Sequence, residues 1–220
     1  MPNPNKVRKV CRILEAEYGR PRLGNPRDPL DDLIYIVLSN KTTPTTATRV
    51  FRQLKTSFPK WSDLIAAKSS TVQAILRPAG LSHVKTAQIR AALRKIKRDF
   101  GNCDLSALRK LATADAEEYL CSLAGVSEKV AKCVLMYTLG SKVLPVDAHL
   151  HRIAVRLGWT ERKRADQCHD ELEAIVSPNL RFALHVDSIV HGRLTCRPQA
   201  PLCGACCIRK FCDFHRNTLK

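Results

Sequence analysis
Three features of the sequence predict an all-α fold. Apolar residues recur at helical spacing along almost its whole length, no sustained period-two run of β-branched residues occurs, and the breaks between periodic stretches carry helix-ending turn chemistry. Leu30, Leu33, Ile34, Val37 and Leu38 follow the i, i+3, i+4, i+7 rule. Ile89, Ala92, Leu93 and Ile96 repeat it, with Ala87 in part, and Lys85, Arg90, Arg94, Lys95, Lys97 and Arg98 are assigned to the wet side of that helix.

Asn25-Pro26-Arg27-Asp28-Pro29 separates an N-terminal helix from the next, and Phe58-Pro59, Pro78-Ala79-Gly80 and Phe100-Gly101-Asn102 mark further ends. Thr113 is placed to cap a helix over 114–122, Ser127 one running to Leu139, and Asp147 one over 148–157. There is no long linker, no low-complexity tract and no solenoid-type repeat.

The chain has 220 residues, enough for one large domain or two small ones. Its 37 Lys and Arg against 20 Asp and Glu give a formal charge of +17. Such an excess favours a polyanionic partner through counterion release, nucleic acid first and an anionic membrane surface second. A basic scaffold, or charge kept for solubility, is the competing explanation until a site is found. Residues 1–10 are polar and basic, and the best apolar run, 33–38, is far too short to span a bilayer. A reducing compartment is therefore expected: the cytoplasm and nucleoid of a bacterium, or a eukaryotic nucleus. There the 10 cysteines would not form disulfides, and the five between Cys196 and Cys212 point to metal chemistry.

The most informative stretch runs through Leu123, Ala124, Gly125, Val126, Ser127, Glu128 and Lys129. A helix ends, Gly125 allows a tight turn, and a second helix starts at Ser127. Backbone N–H groups near Gly125 and Ser127 then form a nest for phosphate. Lys129 falls in the first turn of the second helix; alone, it is an ordinary exposed lysine. Asp147 opens another helix, where it is an N-cap in its simplest role. A lysine and a carboxylate at neighbouring helix starts also suit carbonyl-type chemistry at a sugar. The amine attacks the anomeric carbon, and the carboxylate stabilises positive charge and assists proton transfer. Further on, Cys196, Cys203, Cys206 and Cys212 are spaced C-x6-C-x2-C-x5-C, which suits tetrahedral zinc or an iron–sulfur cluster.

These motifs together resemble the endonuclease III family of helix-hairpin-helix DNA glycosylases, over nearly the whole chain. The resemblance implies that Lys129 is the nucleophile and Asp147 the essential carboxylate. It implies a bifunctional enzyme that cuts the glycosidic bond and then the backbone by β-elimination. It implies a [4Fe–4S] cluster on Cys196, Cys203, Cys206 and Cys212, with Cys207 the odd cysteine. It also implies two α-domains flanking a DNA-binding cleft. Residues 25–141 would form a six-helix barrel with the hairpin, and 1–24 with 142–220 the cluster domain. The implied partner is duplex DNA carrying damaged bases or abasic sites, bound by a monomer.

The target base must be flipped out of the stack, so the gap it leaves must be filled. The resemblance implies that two loops do this: Asn40 to Pro44, with Lys41, and Pro78 to Val84, with Leu81 as apolar wedge. A core contact at a helix start is the alternative for Leu81. Gly125, Val126, Ser127 and His149 complete the implied DNA contacts. The sequence departs from the family pattern at Ala124, where proline is usual, at Ser127, where glycine is usual, and at Lys41, where glutamine is frequent. Residues 153–159 are also similar to glycosylases that excise 5-methylcytosine. Oxidised pyrimidines are the expected substrates. A catalytically weak lesion-binding protein, or a glycosylase for mismatched or alkylated bases, is the alternative.

Overall fold
A computed structural model describes residues 2–218, and every regular element among them is helical. The chain divides into two compact units: Gly24–Ser141, and the flanking segments up to Leu23 and from Lys142.

Helix α1 (Pro4–Tyr18) belongs to the flanking unit. Asn3 caps it by accepting from the Asn5 N–H at 2.9 Å, and Gly19, at φ +68°, ends it. Its buried residues Val7, Val10, Cys11 and Leu14 make one apolar stripe.

The central unit is built on α2 (Pro29–Ser39). Asp28 caps this helix through Oδ1, which accepts from Leu30 N at 3.0 Å and Asp31 N at 2.9 Å, and Pro29 pre-sets the first turn. Every residue from Asp32 to Leu38 is buried, so α2 is enclosed on all sides rather than along one stripe. Around it lie α3 (Pro44–Ser57), α4 (Trp61–Ala66), α5 (Ser69–Leu76), α6 (Ser82–Phe100), α7 (Thr113–Cys121) and α8 (Glu128–Thr138). Helices α3, α6 and α8 pack directly on α2. Asp31, at its half-buried edge, accepts from Trp61 Nε1 at 2.7 Å and Lys55 Nζ at 2.8 Å.

In the flanking unit, α9 (Ala148–Arg156), α10 (His169–Ile175), α11 (Pro178–Leu194) and α12 (Asp213–Thr218) follow. Helix α11 packs against α1 and α9, and Leu14, Leu150, Ile153, Trp159 and Leu184 lie in the shared core. Two part-buried polar joints tie the C-terminal end of α1 and the residues just after it to α11. Asp187 accepts from Arg20 N at 3.0 Å, and the Tyr18 hydroxyl bonds His191 Nδ1 at 2.8 Å. Among the described residues, no helix is long and apolar enough to cross a membrane.

Some local expectations change. On α6, Ala87 is exposed, whereas Lys85 is 3% exposed and Arg90 is half-buried, donating to Ile65 O and Ser69 Oγ at 2.6 Å each. Both cations reach carbonyl acceptors that belong to other elements, which helical periodicity cannot register. Ala112, not Thr113, is the N-cap of α7. Ser127 stands at the N-cap of α8 but its side chain makes no capping hydrogen bond.

Candidate functional site
The hairpin joins α7 to α8. Val126 N closes the turn on Leu123 O at 3.1 Å. Gly125 has φ +80°, and a Cβ there would lie 2.6 Å from the Gln88 side chain, so both backbone and packing exclude a side chain. The N–H groups of Gly125 and Ser127 have no acceptor among the described residues. Both lie at the start of α8, the positive end of a helix dipole. Ala124 and Val126 line a small apolar hollow with Leu30, Leu33 and Ile34 of α2 and Ile89 of α6, which ties the hairpin to the core.

Lys129 is half-buried in the first turn of α8. Its charge reaches Asp32 on α2, a residue that pattern reading passed over. Asp32 is wholly buried; Oδ1 accepts from Asn25 Nδ2 at 2.6 Å, and Oδ2 has no partner among the described residues. Burial pushes its carboxyl up to about 7, against the opposing pull of Asn25 and Lys129. The signal was present as an aspartate inside the apolar run 30–38, but it reads equally well as the wet edge of an amphipathic helix.

Asp147 is the N-cap of α9, as its position suggested, with Oδ1 accepting from His149 N at 2.9 Å and Leu150 N at 2.8 Å. Both bonds use Oδ1, and the residue stays partly exposed. His149 is half-buried against Gly192, with Nδ1 3.2 Å from Arg152 Nη2; burial first, and the neighbouring Arg152 and Arg193, lower its pKa.

The two loops assigned to the gap share an unusual backbone. Lys41 and Leu81 both adopt left-handed conformations, φ +57° and +52°. Lys41 is exposed, and Leu81 is 54% exposed, which removes a core contact as its role. Gly80 precedes Leu81 at φ +70°.

In the flanking unit, Cys196, Cys203, Cys206 and Cys212 line one cavity with Arg156, Leu202, Phe214 and His215. Cys207 does not line it and packs against the core. Arg156 Nη1 donates to Cys196 Sγ at 3.1 Å, and Cys212 Sγ lies 3.3 Å from Arg156 O. Burial pushes the Cys206 thiol up to about 11, with the thiols of Cys207, Cys196 and Cys212 acting in the same direction. Among the described residues no three ligand-type side chains converge on a single ion. Four thiols lining one cavity are the donor set that a thiolate-bound group requires, and its binding would displace their protons.

The fold and these features define an all-α helix-hairpin-helix protein with a four-cysteine loop. Residues 34–178 match the family described as HhH-GPD superfamily base excision DNA repair protein. The chain belongs to that family and is endonuclease III-like within it. It is 28% identical over 211 residues to endonuclease III of Thermotoga maritima, covering 96% of this chain and 94% of that one. It is 34% identical over 167 residues, 75% of the chain, to an Arabidopsis thaliana protein named as a DNA glycosylase, and spans 57% of that plant protein's length. A solved non-covalent endonuclease III–DNA complex matches with a TM-score of 0.87 at 23% identity, covering 100% of this chain and 99% of that one.

The buried carboxylate yields a pH signature. Because its folded-state pKa, about 7, lies above the ordinary 3.8, Asp32 costs stability progressively as pH rises from about 4 through 7. Asp32→Asn keeps an acceptor for Asn25 and removes this term. Its stability relative to wild type should improve by about 2–3 kcal/mol between pH 5 and pH 8 and then level off. A pH-independent difference in denaturant midpoints would show that the carboxyl is not displaced upward.

Proposed function
We propose that this protein is a DNA glycosylase with AP lyase activity, removing damaged, chiefly oxidised, pyrimidines from duplex DNA. The observation that carries this reading is the placement of Lys129 in the first turn of α8, beside the Gly125 and Ser127 N–H groups, which have no acceptor among the described residues. Those donors suit a backbone phosphate next to the flipped nucleotide. The formal charge of +17 supports the rest of the backbone contact.

In this chemistry the neutral Lys129 amine attacks C1′ of the extruded nucleotide. The bond from C1′ to the base breaks, and the base leaves with a proton. Sugar-ring opening converts the adduct to a Schiff base. Loss of a C2′ proton then expels the 3′ phosphate by β-elimination, and water releases the lysine. Asp147 supplies negative charge to the cationic sugar and assists proton transfer. Lys41 and Leu81 enter the gap left by the base, and Gly125, Val126, Ser127 and His149 contact the strand. Cys196, Cys203, Cys206 and Cys212 would hold a [4Fe–4S] cluster, which would order the loop that carries Arg197, Arg209 and Lys210. A second reading, a lesion-binding protein without turnover, draws on Ser127, which begins α8 without capping it.

Borohydride should trap a covalent wild-type complex with lesion-bearing duplex, and Lys129→Ala should abolish it while duplex binding persists. An undiminished adduct in the variant removes Lys129 as nucleophile. Lesion binding with no product at any enzyme excess selects the second reading. Asparagine is also a good N-cap, so Asp147→Asn should retain the wild-type melting temperature yet turn over at least tenfold more slowly; unchanged single-turnover rates would leave Asp147 a cap alone. The purified protein should be yellow-brown and carry about four irons per chain. A colourless protein with one bound zinc would overturn the cluster assignment.

A further inference from the structure
Helix α6 carries a cation that the proposed chemistry leaves without a task. The Lys85 ammonium is buried and donates to three backbone carbonyls: Leu38 O at 2.8 Å, Asn40 O at 3.0 Å and Ala79 O at 2.9 Å. An ammonium has three hydrogens, so its donor capacity matches these three acceptors. Their positions in the chain are informative. Leu38 lies in the last turn of α2, where carbonyls lack intrahelical partners and the dipole favours a cation. Asn40 immediately precedes Lys41. Ala79 immediately precedes Gly80 and Leu81.

We infer that Lys85 is a positioning residue that fastens the loop bearing Lys41 to the loop bearing Leu81, so that both side chains are presented to a lesion as one rigid pair. This inference rests on the glycosylase reading for its DNA half and on the central unit alone for its mechanical half.

Two further observations support it. Lys41 and Leu81 are non-glycine residues held at φ +57° and +52°, a region that stays populated only when surrounding contacts enforce it. In each loop a carbonyl held by Lys85 lies within two residues of the strained position. The ammonium is also out of reach of any phosphate, because it is buried with its hydrogens committed to carbonyls. Burial lowers its pKa, while the carbonyls that surround it favour the charged form.

The test compares wild type, Lys85→Met, Leu81→Ala and the double variant. Amide hydrogen exchange is measured on the free proteins. Binding is measured to a duplex with a tetrahydrofuran abasic analogue and to an undamaged duplex, across a salt series. Lys85→Met should accelerate exchange around residues 38–42 and 79–82 together. It should lower the preference for the abasic duplex about tenfold and leave the salt slope for undamaged duplex unchanged. The double variant should lose no more preference than the worse single variant, because both changes disable one unit.

Exchange that rises in only one loop, or in neither, overturns the clamp. Exchange that rises in both loops with full lesion preference overturns the positioning role. Additive losses show that Lys85 and Leu81 act separately, and a shallower salt slope makes Lys85 a phosphate contact instead. If Lys85→Met lacks a cooperative melt, Lys85→Arg replaces it. That variant keeps the charge but spreads its donors in a planar fork, and the same pattern at smaller amplitude is expected. Wild type with no preference for the abasic duplex sinks the glycosylase reading and the DNA half of the inference, while exchange still decides the clamp.

Discussion
A helix enclosed on nearly every side has no water to satisfy its polar groups, and α2 is such a helix. Asp28 takes its first free N–H groups. Lys85 takes a carbonyl in its last turn and another just beyond it. Asp32, buried within it, is held by Asn25 and lies in the field of Lys129. Lys129 of the proposed catalytic hairpin thus acts on α2 through its charge at Asp32, and Lys85, at the base of the proposed gap-filling loops, through hydrogen bonds. The polar groups of one buried helix therefore lie beside proposed site residues at both of its ends.

Helix α9 has a comparable place in the flanking unit. Its first residues are capped by Asp147, its middle carries Arg152, which donates to Cys196 O at 2.8 Å and Gly192 O at 2.9 Å, and its last residue, Arg156, donates to Cys196 Sγ. A carboxylate suited to a cationic sugar and a loop suited to a cluster therefore share one short rigid element. On the proposed reading, disorder in the cysteine loop would be felt at Asp147 through this helix.

The proposed chemical residues were legible because they occur in dense local motifs. Gly125 and Lys129 fall within a single turn, Asp147 opens a helix at a recognisable cap, and four cysteines crowd a short C-terminal stretch. Leu81 was legible only as a choice between wedge and core, which its exposure decides. Lys85 and Asp32 were not legible. Periodicity sorts residues by face and assumes that a charged residue seeks water, but Lys85 finds two of its three acceptors at and just beyond the end of α2, and Asp32 is held by Asn25 in the turn that precedes α2. Ser127 was misjudged in a smaller way: it has the right residue type and position for a cap, and its hydroxyl nevertheless does not turn back to the helix.

Backbone geometry and short-range pattern alone give the all-α character, the hairpin glycine, the lysine and aspartate at their helix starts, and the cysteine spacing, because each is a local consequence of them. Packing between distant segments is what buries α2 all round, sets Asp32 in the field of Lys129, and brings one ammonium to carbonyls in the loops of Lys41 and Leu81. The bonds of Lys85 to α2 depend on carbonyls brought within about 3 Å across a long stretch of chain, and the field of Lys129 at Asp32 on a charge brought near by the fold; sequence neighbourhood carries no information on either.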